Sequence, residues 1–105
     1  MRFVVKTEPK HMTPPEIVPM LIDAMQAWLE KYKDNLVEVW SSAGRQGGGG
    51  IAEVDSLEQL DQMMIEFPFG PFSDVQISPV VELSESLNKV KAHMAHVAEM
   101  MQQQS

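Results

Sequence analysis

A chain of 105 residues, with 44% hydrophobic and 22% charged side chains, has the size and composition of one soluble globular domain. Its formal net charge of −7 argues against a nucleic-acid partner, because an acidic surface repels phosphate backbones. The sequence has no cysteine, which excludes disulfides, and no apolar stretch of membrane-spanning length, so we expect a cytoplasmic protein without a membrane partner.

Segments rich in β-branched and aromatic residues predict four strands: residues 2–7, 36–40, 51–54 and 74–83. Pro79 cannot donate a backbone hydrogen bond, which predicts that the last strand lies at an edge or a bulge. The segment from Ser42 to Gly50 holds five glycines and is interpreted as a connection between the second and third strands.

Apolar residues at helical spacing predict two helices between these strands. The first follows Thr13 and Glu16, which have the spacing of a capping box, and its expected stop is Asp34-Asn35, since Asn tolerates the left-handed conformation. The second starts at Ser56, with Gln59 completing a capping box. Its expected buried side chains are Leu57, Leu60, Met64 and Phe67.

Residues 84–101 predict a third helix with a narrow apolar stripe. Its apolar residues recur at intervals of three and four, which is the seam spacing of a coiled coil: Leu87, Val90, Met94, Val97 and Met101. The seam predicts a docking face, either for the helix's own domain or for another subunit.

The order β-α-β-β-α-β is that of a ferredoxin-like α+β domain, which we expect over residues 1–83. Residues 84–105 form a C-terminal helical extension. Phe3 and Val4 are neighbours on a strand and so face opposite sides of the sheet, which leaves an apolar surface on the side away from the helices. Dimerisation through that side would cover it, so we expect a homodimer or a higher homo-oligomer.

Two stretches in the middle of the chain carry a recognisable pattern. Residues 39–45 read VWSSAGR, and residues 67–80 read FPFGPFSDVQISPV, a helix end followed by a Pro-aromatic-Pro loop and a strand that Asp74 opens. Both stretches, with the short helix between them, resemble the muconolactone isomerase family. The resemblance implies a dimeric α+β barrel with a pocket between the sheet and the helices. It also implies an isomerase of aromatic catabolism that moves a double bond in a lactone by proton transfer, without metal or cofactor.

The candidate catalytic residues are Arg45, Asp23 and His11. Arg45 falls within the family-like stretch and could stabilise a carboxylate or an enolate oxygen. Asp23 is the one acid in the middle of the first helix and could act as a general base, although its spacing from other acids also fits a solvent-facing position. His11 titrates in a useful range but could equally be an exposed loop residue.

The candidate substrate-binding residues are Trp28, Trp40, Phe72 and Asp74. Each tryptophan could wall a pocket for a flat substrate or pack in the core. Asp74 could face the pocket or bond the loop backbone. His93 and His96 lie three apart on the last helix, which is not the usual spacing of a zinc pair, so no metal is expected.

The sequence thus favours a cofactor-independent isomerase that acts by proton transfer on a lactone or enol-type small molecule. Two alternatives stay open. One is a non-catalytic module for ligand binding or oligomerisation, and the other is a cofactor-free monooxygenase, which would consume oxygen. Fold alone cannot separate them, because function lies in the site.

Overall fold

The computed structural model describes residues 1–10 and 12–104. Its helices and strands, in chain order, are β1 Arg2–Pro9, α1 Val18–Lys31, β2 Leu36–Ser41, β3 Gly48–Glu53, α2 Leu57–Ile65, β4 Ser73–Val80 and α3 Leu83–Gln103. Short 3-10 turns at Pro15–Ile17 and Gly70–Phe72 precede α1 and β4. The α+β class, the β-α-β-β-α-β order and the C-terminal helix are all as predicted.

In the described residues the strands form one four-stranded antiparallel sheet in the order β2-β3-β1-β4. Phe3 on β1 lies between Ala52 of β3 and Pro79 of β4. Because side chains alternate along a strand, Phe3, Val5 and Thr7 point to the same face, the one that α1 and α2 cover. Pro79 lies on the edge strand β4, which confirms the prediction made from its missing donor.

The start of α1 differs from the prediction. The first helical turn has Pro14 as its N-cap residue, with no side-chain cap, so the capping box expected of Thr13 and Glu16 is not formed. Pro14 and Pro15 hold the chain in extended and then 3-10 geometry, and α1 begins only at Val18. The expected stop at Asn35 is also wrong: α1 ends at Lys31, and no described residue other than glycine has a positive φ.

Helix α2 begins as predicted. The Ser56 hydroxyl accepts a hydrogen bond from the Gln59 amide at 3.1 Å, and the Gln59 side chain accepts one from the Asp55 amide at 2.8 Å. Leu60 and Phe67 are buried, but Leu57 is 60% exposed and Met63 is buried at 1% exposure. Leu57 therefore does not belong to the buried face of α2, which consists of Leu60 and Met63.

The glycine run belongs to a strand rather than to a connection. Strand β3 includes Gly48, Gly49 and Gly50, each paired with β1 on one side and β2 on the other. The bulge of this hairpin lies on β2, between Leu36 and Glu38. The turn itself covers only Ser42 to Gly47.

The core lies between the sheet and the two helices. Its buried residues are Phe3, Trp28, Tyr32, Ala52, Val54, Leu60, Met63 and Phe67. The Trp28 indole donates a hydrogen bond to the Met63 carbonyl at 2.9 Å. In a continuing helix that carbonyl would accept from Phe67, but the Phe67 amide donates to Met64 instead. Trp28 therefore satisfies one of the last carbonyls of α2 and joins the two helices.

Helix α3 projects from this domain. No residue of its 21-residue span is buried. The chain measures 72 Å along its longest axis, against 27 and 22 Å along the others. The predicted boundaries of the helix are confirmed, and its seam does not pack on its own domain.

Candidate functional site

A cavity of about 550 Å³ lies between the sheet and helices α1 and α2. We call it the main cavity. Ligand pockets in proteins commonly have volumes of roughly 300–1,000 Å³, so the space is sufficient for a small molecule. Its lining includes Val5 and Thr7 of β1, Met25 and Leu29 of α1, and Met64 of α2.

The main cavity has a floor of bare backbone. Gly47, Gly48, Gly49 and Gly50 all line it. A Cβ added at Gly48 would lie 2.3 Å from the Trp40 carbonyl oxygen, and one added at Gly50 would lie 2.9 Å from the Glu38 carbonyl oxygen. The strands thus approach one another where side chains are missing. The result is a flat surface against which a planar molecule can lie.

The walls of the main cavity are aromatic and methionine side chains. Trp28, Phe67 and Phe69 form a series of ring contacts in which neighbouring centroids are 5.3 Å and 6.4 Å apart. Met25 and Met64 complete the wall on the helix side. Aromatic and thioether groups are polarisable and offer stacking surfaces to an unsaturated ring.

No described lining residue of the main cavity carries a charged side chain. The polar groups come from hydroxyls and one amide: Thr7, Thr13, Ser41, Gln46 and Ser73. One of these hydroxyls is already engaged, since Thr7 donates to the Gly48 carbonyl at 3.3 Å. The described lining therefore offers hydrogen bonds but no group that titrates near neutral pH.

A second cavity adjoins the main cavity, and its described lining includes one arginine, Arg45. This side cavity is lined by Met12, Val18 and Arg45, and it shares five lining residues with the main cavity: Thr13, Ser41, Gln46, Gly47 and Phe69. Arg45 is exposed and forms an ion pair with Glu8. An exposed pair of this kind contributes little to stability, so Arg45 can exchange Glu8 for another anion at low cost.

The structure distributes the predicted site residues unevenly. Trp28, Trp40 and Phe72 line the main cavity, and Arg45 lines the side cavity. Trp28 is also a core residue, so its two predicted roles are combined.

The remaining candidates lie elsewhere. Asp23 is exposed on α1, on the side away from the cavities, and Asp74 is exposed on β4 opposite Glu8. His11 lies outside the described residues. Proton transfer by Asp23 or His11 therefore stays a prediction from the sequence, and so does substrate binding by Asp74.

A hydrogen-bonded cluster joins the C-terminal ends of α1 and α2. The Glu66 carboxylate of the α2 C-terminus accepts bonds from Lys31, Tyr32 and Gln62. The bonds from Lys31 and Tyr32 lower the pKa of Glu66 from 4.5 to about 2. The same bond to Glu66, together with burial, raises the pKa of Tyr32. The cluster ties α1 to α2 and holds the cavity walls in place, but it does not line the cavity.

Sequence comparison assigns a family. A family model described as "Domain of unknown function (DUF3303)" matches residues 1–94. The chain belongs to this family. No curated protein matches its sequence significantly.

Two solved structures share the fold. A crystal structure of muconolactone isomerase matches with a TM-score of 0.70 at 20% identity, covering 78% of this chain and 90% of that one. The 5-chloro-2-hydroxyhydroquinone dehydrochlorinase of Burkholderia phenoliruptrix, in complex with 2,5-dihydroxybenzoquinone, matches with a TM-score of 0.62 at 17% identity. That match covers 81% of this chain and 98% of the other. The resemblance to muconolactone isomerase drawn from the sequence is confirmed for the fold. At these identities it extends no further.

Sequence reasoning missed much of the lining. The glycines were interpreted as a connection, although they continue directly into Ile51–Glu53, and that continuity was a usable signal for a longer strand. Gln46 and Thr13 were not singled out for the site, and both belong to the two cavities. Nothing in the spacing of Met25 or Phe69 separates a cavity wall from a core position.

In the part of the chain that the structure describes, no helix combines the length and the hydropathy needed to cross a bilayer. The same residues contain no cluster of three or more His, Asp or Glu side chains with metal-binding geometry. The cytoplasmic location stays a prediction.

Proposed function

We propose that this protein binds a small, flat and mostly apolar cyclic molecule in the main cavity, with an oxygen-bearing edge turned toward Arg45. One observation carries the proposal: the described lining is a flat glycine floor under aromatic and methionine walls, with no charged side chain. A cavity of this kind favours the transfer of an apolar ring out of water.

The direction of the ligand follows from where the polar groups lie. Thr13, Ser41 and Gln46 belong to both cavities, so they mark the passage from the apolar interior to Arg45. A carboxylate, enolate or quinone oxygen buried among the aromatic walls would lose its hydration without a partner. The same oxygen at the passage meets donors from Gln46 and Arg45.

Titration calorimetry tests the binding proposal. The probes are muconolactone and 2,5-dihydroxybenzoquinone, each a small oxygenated ring. Met25→Trp places bulk on the cavity wall, and Gln26→Trp places the same side chain at an exposed neighbouring position of α1. We expect binding of at least one probe to the wild type and to Gln26→Trp, and loss of that binding in Met25→Trp.

The binding proposal fails if neither probe binds the wild type, or if the two tryptophan variants behave alike. The far-ultraviolet circular dichroism of both variants shows whether Met25→Trp still folds. Thermal unfolding with and without the probe gives a second readout, because a ligand that binds only the folded state raises its stability.

A second candidate function is isomerisation of a lactone or enol-type molecule by proton transfer, without a cofactor. The likeness to muconolactone isomerase and the position of Arg45 at the cavity mouth favour it. Arg45 would stabilise the negative charge that develops on the substrate oxygen. His11 is the sequence candidate for the proton-transfer group at this position, because the other candidate, Asp23, lines neither cavity.

Turnover of muconolactone, followed by ultraviolet absorbance, tests this second function. Arg45→Ala removes the arginine at the mouth. Arg2→Ala is the matched control, because Arg2 also forms an exposed ion pair, with Glu53, and lines neither cavity. We expect Arg45→Ala to lower turnover by at least tenfold and Arg2→Ala to leave it unchanged. If the wild type binds muconolactone but does not convert it, the isomerase function is refuted and the binding function is retained.

A further inference from the structure

We infer that α3 is an assembly element, which pairs in parallel with α3 of a second copy of this chain through the seam of Leu83, Leu87, Val90, Met94, Val97 and Met101. The inference is independent of what the main cavity binds. It starts from surface area. The chain exposes 8001 Å². A compact folded monomer of this mass exposes about 5,900 Å².

The excess area is large enough for a stable interface. It is about 2,000 Å², whereas a standard protein–protein interface takes roughly 800 Å² from each partner. The radius of gyration gives the same result, since it is 19.8 Å. A compact domain of this length has one of about 13 Å. Helix α3 contributes to both measures, since none of its residues is buried.

The helix also lacks the local features that would stabilise it alone. Its N-cap residue Glu82 makes no side-chain cap bond, and its last turn has no basic residue. Although α3 is longer than the roughly 12–15 residues below which an isolated helix is marginal in water, helices in proteins gain most of their stability from packing of an apolar face. Leu87, Val90 and Met94 are each more than half exposed. The exposed seam thus leaves α3 without the packing that stabilises most helices in proteins, and a partner would supply it.

The shape of the apolar stripe selects another helix as the partner. The six seam residues follow one another at intervals of 4, 3, 4, 3 and 4 along the chain. Apart from Met100, the large apolar side chains of α3 are confined to these positions, which form the narrow seam of a coiled coil, whereas a helix that packs on a globular surface has a wider apolar face. Such a seam is complementary to itself about a two-fold axis, so a second copy supplies the matching surface.

Charge supports the same partner. Within α3 the acidic residues Glu85 and Glu99 balance Lys89 and Lys91, so the helix is neutral. The full net charge of −7 therefore lies on the rest of the chain. Two copies therefore meet no net repulsion along α3, which lets the helices pair even though a parallel arrangement brings both acidic domains to the same end.

The flanking residues favour a parallel pair. Ser86 and His93 directly precede seam residues, and Lys91 and Ala98 directly follow seam residues. In a parallel coiled coil, Ser86 of one copy lies near Lys91 of the other, and His93 lies near Ala98. In a fully overlapping antiparallel pair Lys91 would face Lys91 of the other copy. Like charges at such positions are destabilising.

Two neighbouring positions of α3 give a matched test on the full chain. Val90→Glu puts a carboxylate in the seam, and Ala92→Glu puts the same charge on the opposite face. Analytical ultracentrifugation measures the dissociation constant of each protein. We expect the wild type and Ala92→Glu to be dimers or larger, and Val90→Glu to dissociate roughly 100-fold more readily, because its dimer would bury two unpaired charges.

Single cysteines test the parallel contact directly, since the natural sequence has no cysteine. Two cysteines at position 90 of a parallel pair lie close enough to form a disulfide, and two at position 92 do not. Under mild oxidation Val90→Cys should give a covalent dimer, whereas Ala92→Cys should not. The inference is overturned by a monomeric wild type, by equal dissociation of the two glutamate variants, or by equal cross-linking of the two cysteine variants.

Discussion

Trp28→Phe is the substitution that best tests how much the indole of Trp28 stabilises the core beside the main cavity. Trp28 is 9% exposed, and its indole supplies the hydrogen bond to the Met63 carbonyl at 2.9 Å. Phenylalanine keeps one ring and loses the donor. The Phe67 amide is already bonded to Met64, so the Met63 carbonyl is left without this partner at the end of α2.

Two costs add up in that variant. A buried acceptor without a partner costs about 1–3 kcal/mol. The space left by the smaller ring, beside Tyr32 and Phe67 at centroid distances of 5.5 and 5.3 Å, costs about 1 kcal/mol more. We therefore expect the free energy of unfolding to fall by about 2–4 kcal/mol, a large part of the usual stability of a small domain.

Urea unfolding at one fixed protein concentration measures this change, since any assembly makes stability depend on concentration. Trp40→Phe is the matched control, because Trp40 is 41% exposed and should lose less than about 1 kcal/mol. The chain has two tryptophans, so each variant also leaves a single tryptophan whose fluorescence can be followed. The reasoning is refuted if Trp28→Phe costs less than about 0.5 kcal/mol, or if Trp40→Phe costs as much as Trp28→Phe.

Three further predictions follow from local geometry. Glu66→Gln should lower the urea midpoint at pH 7 more than the control Glu58→Gln does. The pKa of Glu66 is lowered from 4.5 to about 2 in the folded protein, so the stabilisation from the ionised carboxylate is complete above pH 4.5. The difference between the two variants should therefore shrink as the pH falls from 4.5 toward 2 and Glu66 becomes protonated. Gly47→Ala should cost more stability than Gly44→Ala in thermal unfolding, because both glycines have positive φ but only at Gly47 would a Cβ lie 2.5 Å from the Thr7 carbonyl oxygen. Ser56→Ala should lower stability by about 0.5–2 kcal/mol in urea, and Thr13→Ala should change it little, because Ser56 caps α2 and Thr13 caps no helix.

The order of elements could be predicted from the sequence because strand and helix periodicities differ and because the breaks between them carry proline and glycine. The capping box of Ser56 and Gln59 could also be predicted, because no proline interrupts the first turn of α2. At Thr13 the same pattern failed, since the prolines that follow fix the chain in another geometry before α1 starts. Local patterns decide local structure only where a single preference applies.

The candidate site was less predictable, because a cavity is made by residues that are distant in the chain. The family-like stretch indicates Arg45, and aromatic character at a strand end indicates Trp40; both lie at the site. Asp23 is a candidate as the one acid in the middle of the first helix, but its position on α1 turns it outward, since the buried face of the helix is set by Leu21 and Trp28. Chemical type identifies candidates, but only packing decides which of them reach the ligand.

The glycine floor shows which part of the site can change its ligand. At Gly48, Gly49 and Gly50 an added Cβ would lie within 3.0 Å of a backbone carbonyl oxygen of a neighbouring strand. The sheet itself therefore requires glycine there, whether or not a ligand binds, and substitutions at these positions would damage the fold before they altered specificity. Met25 and Met64 are half-buried wall residues in flexible side-chain types, so they can be exchanged for larger or smaller groups without moving a strand. Selectivity for ligand size must then come from the helix side of the cavity, and the sheet side supplies only the flat surface.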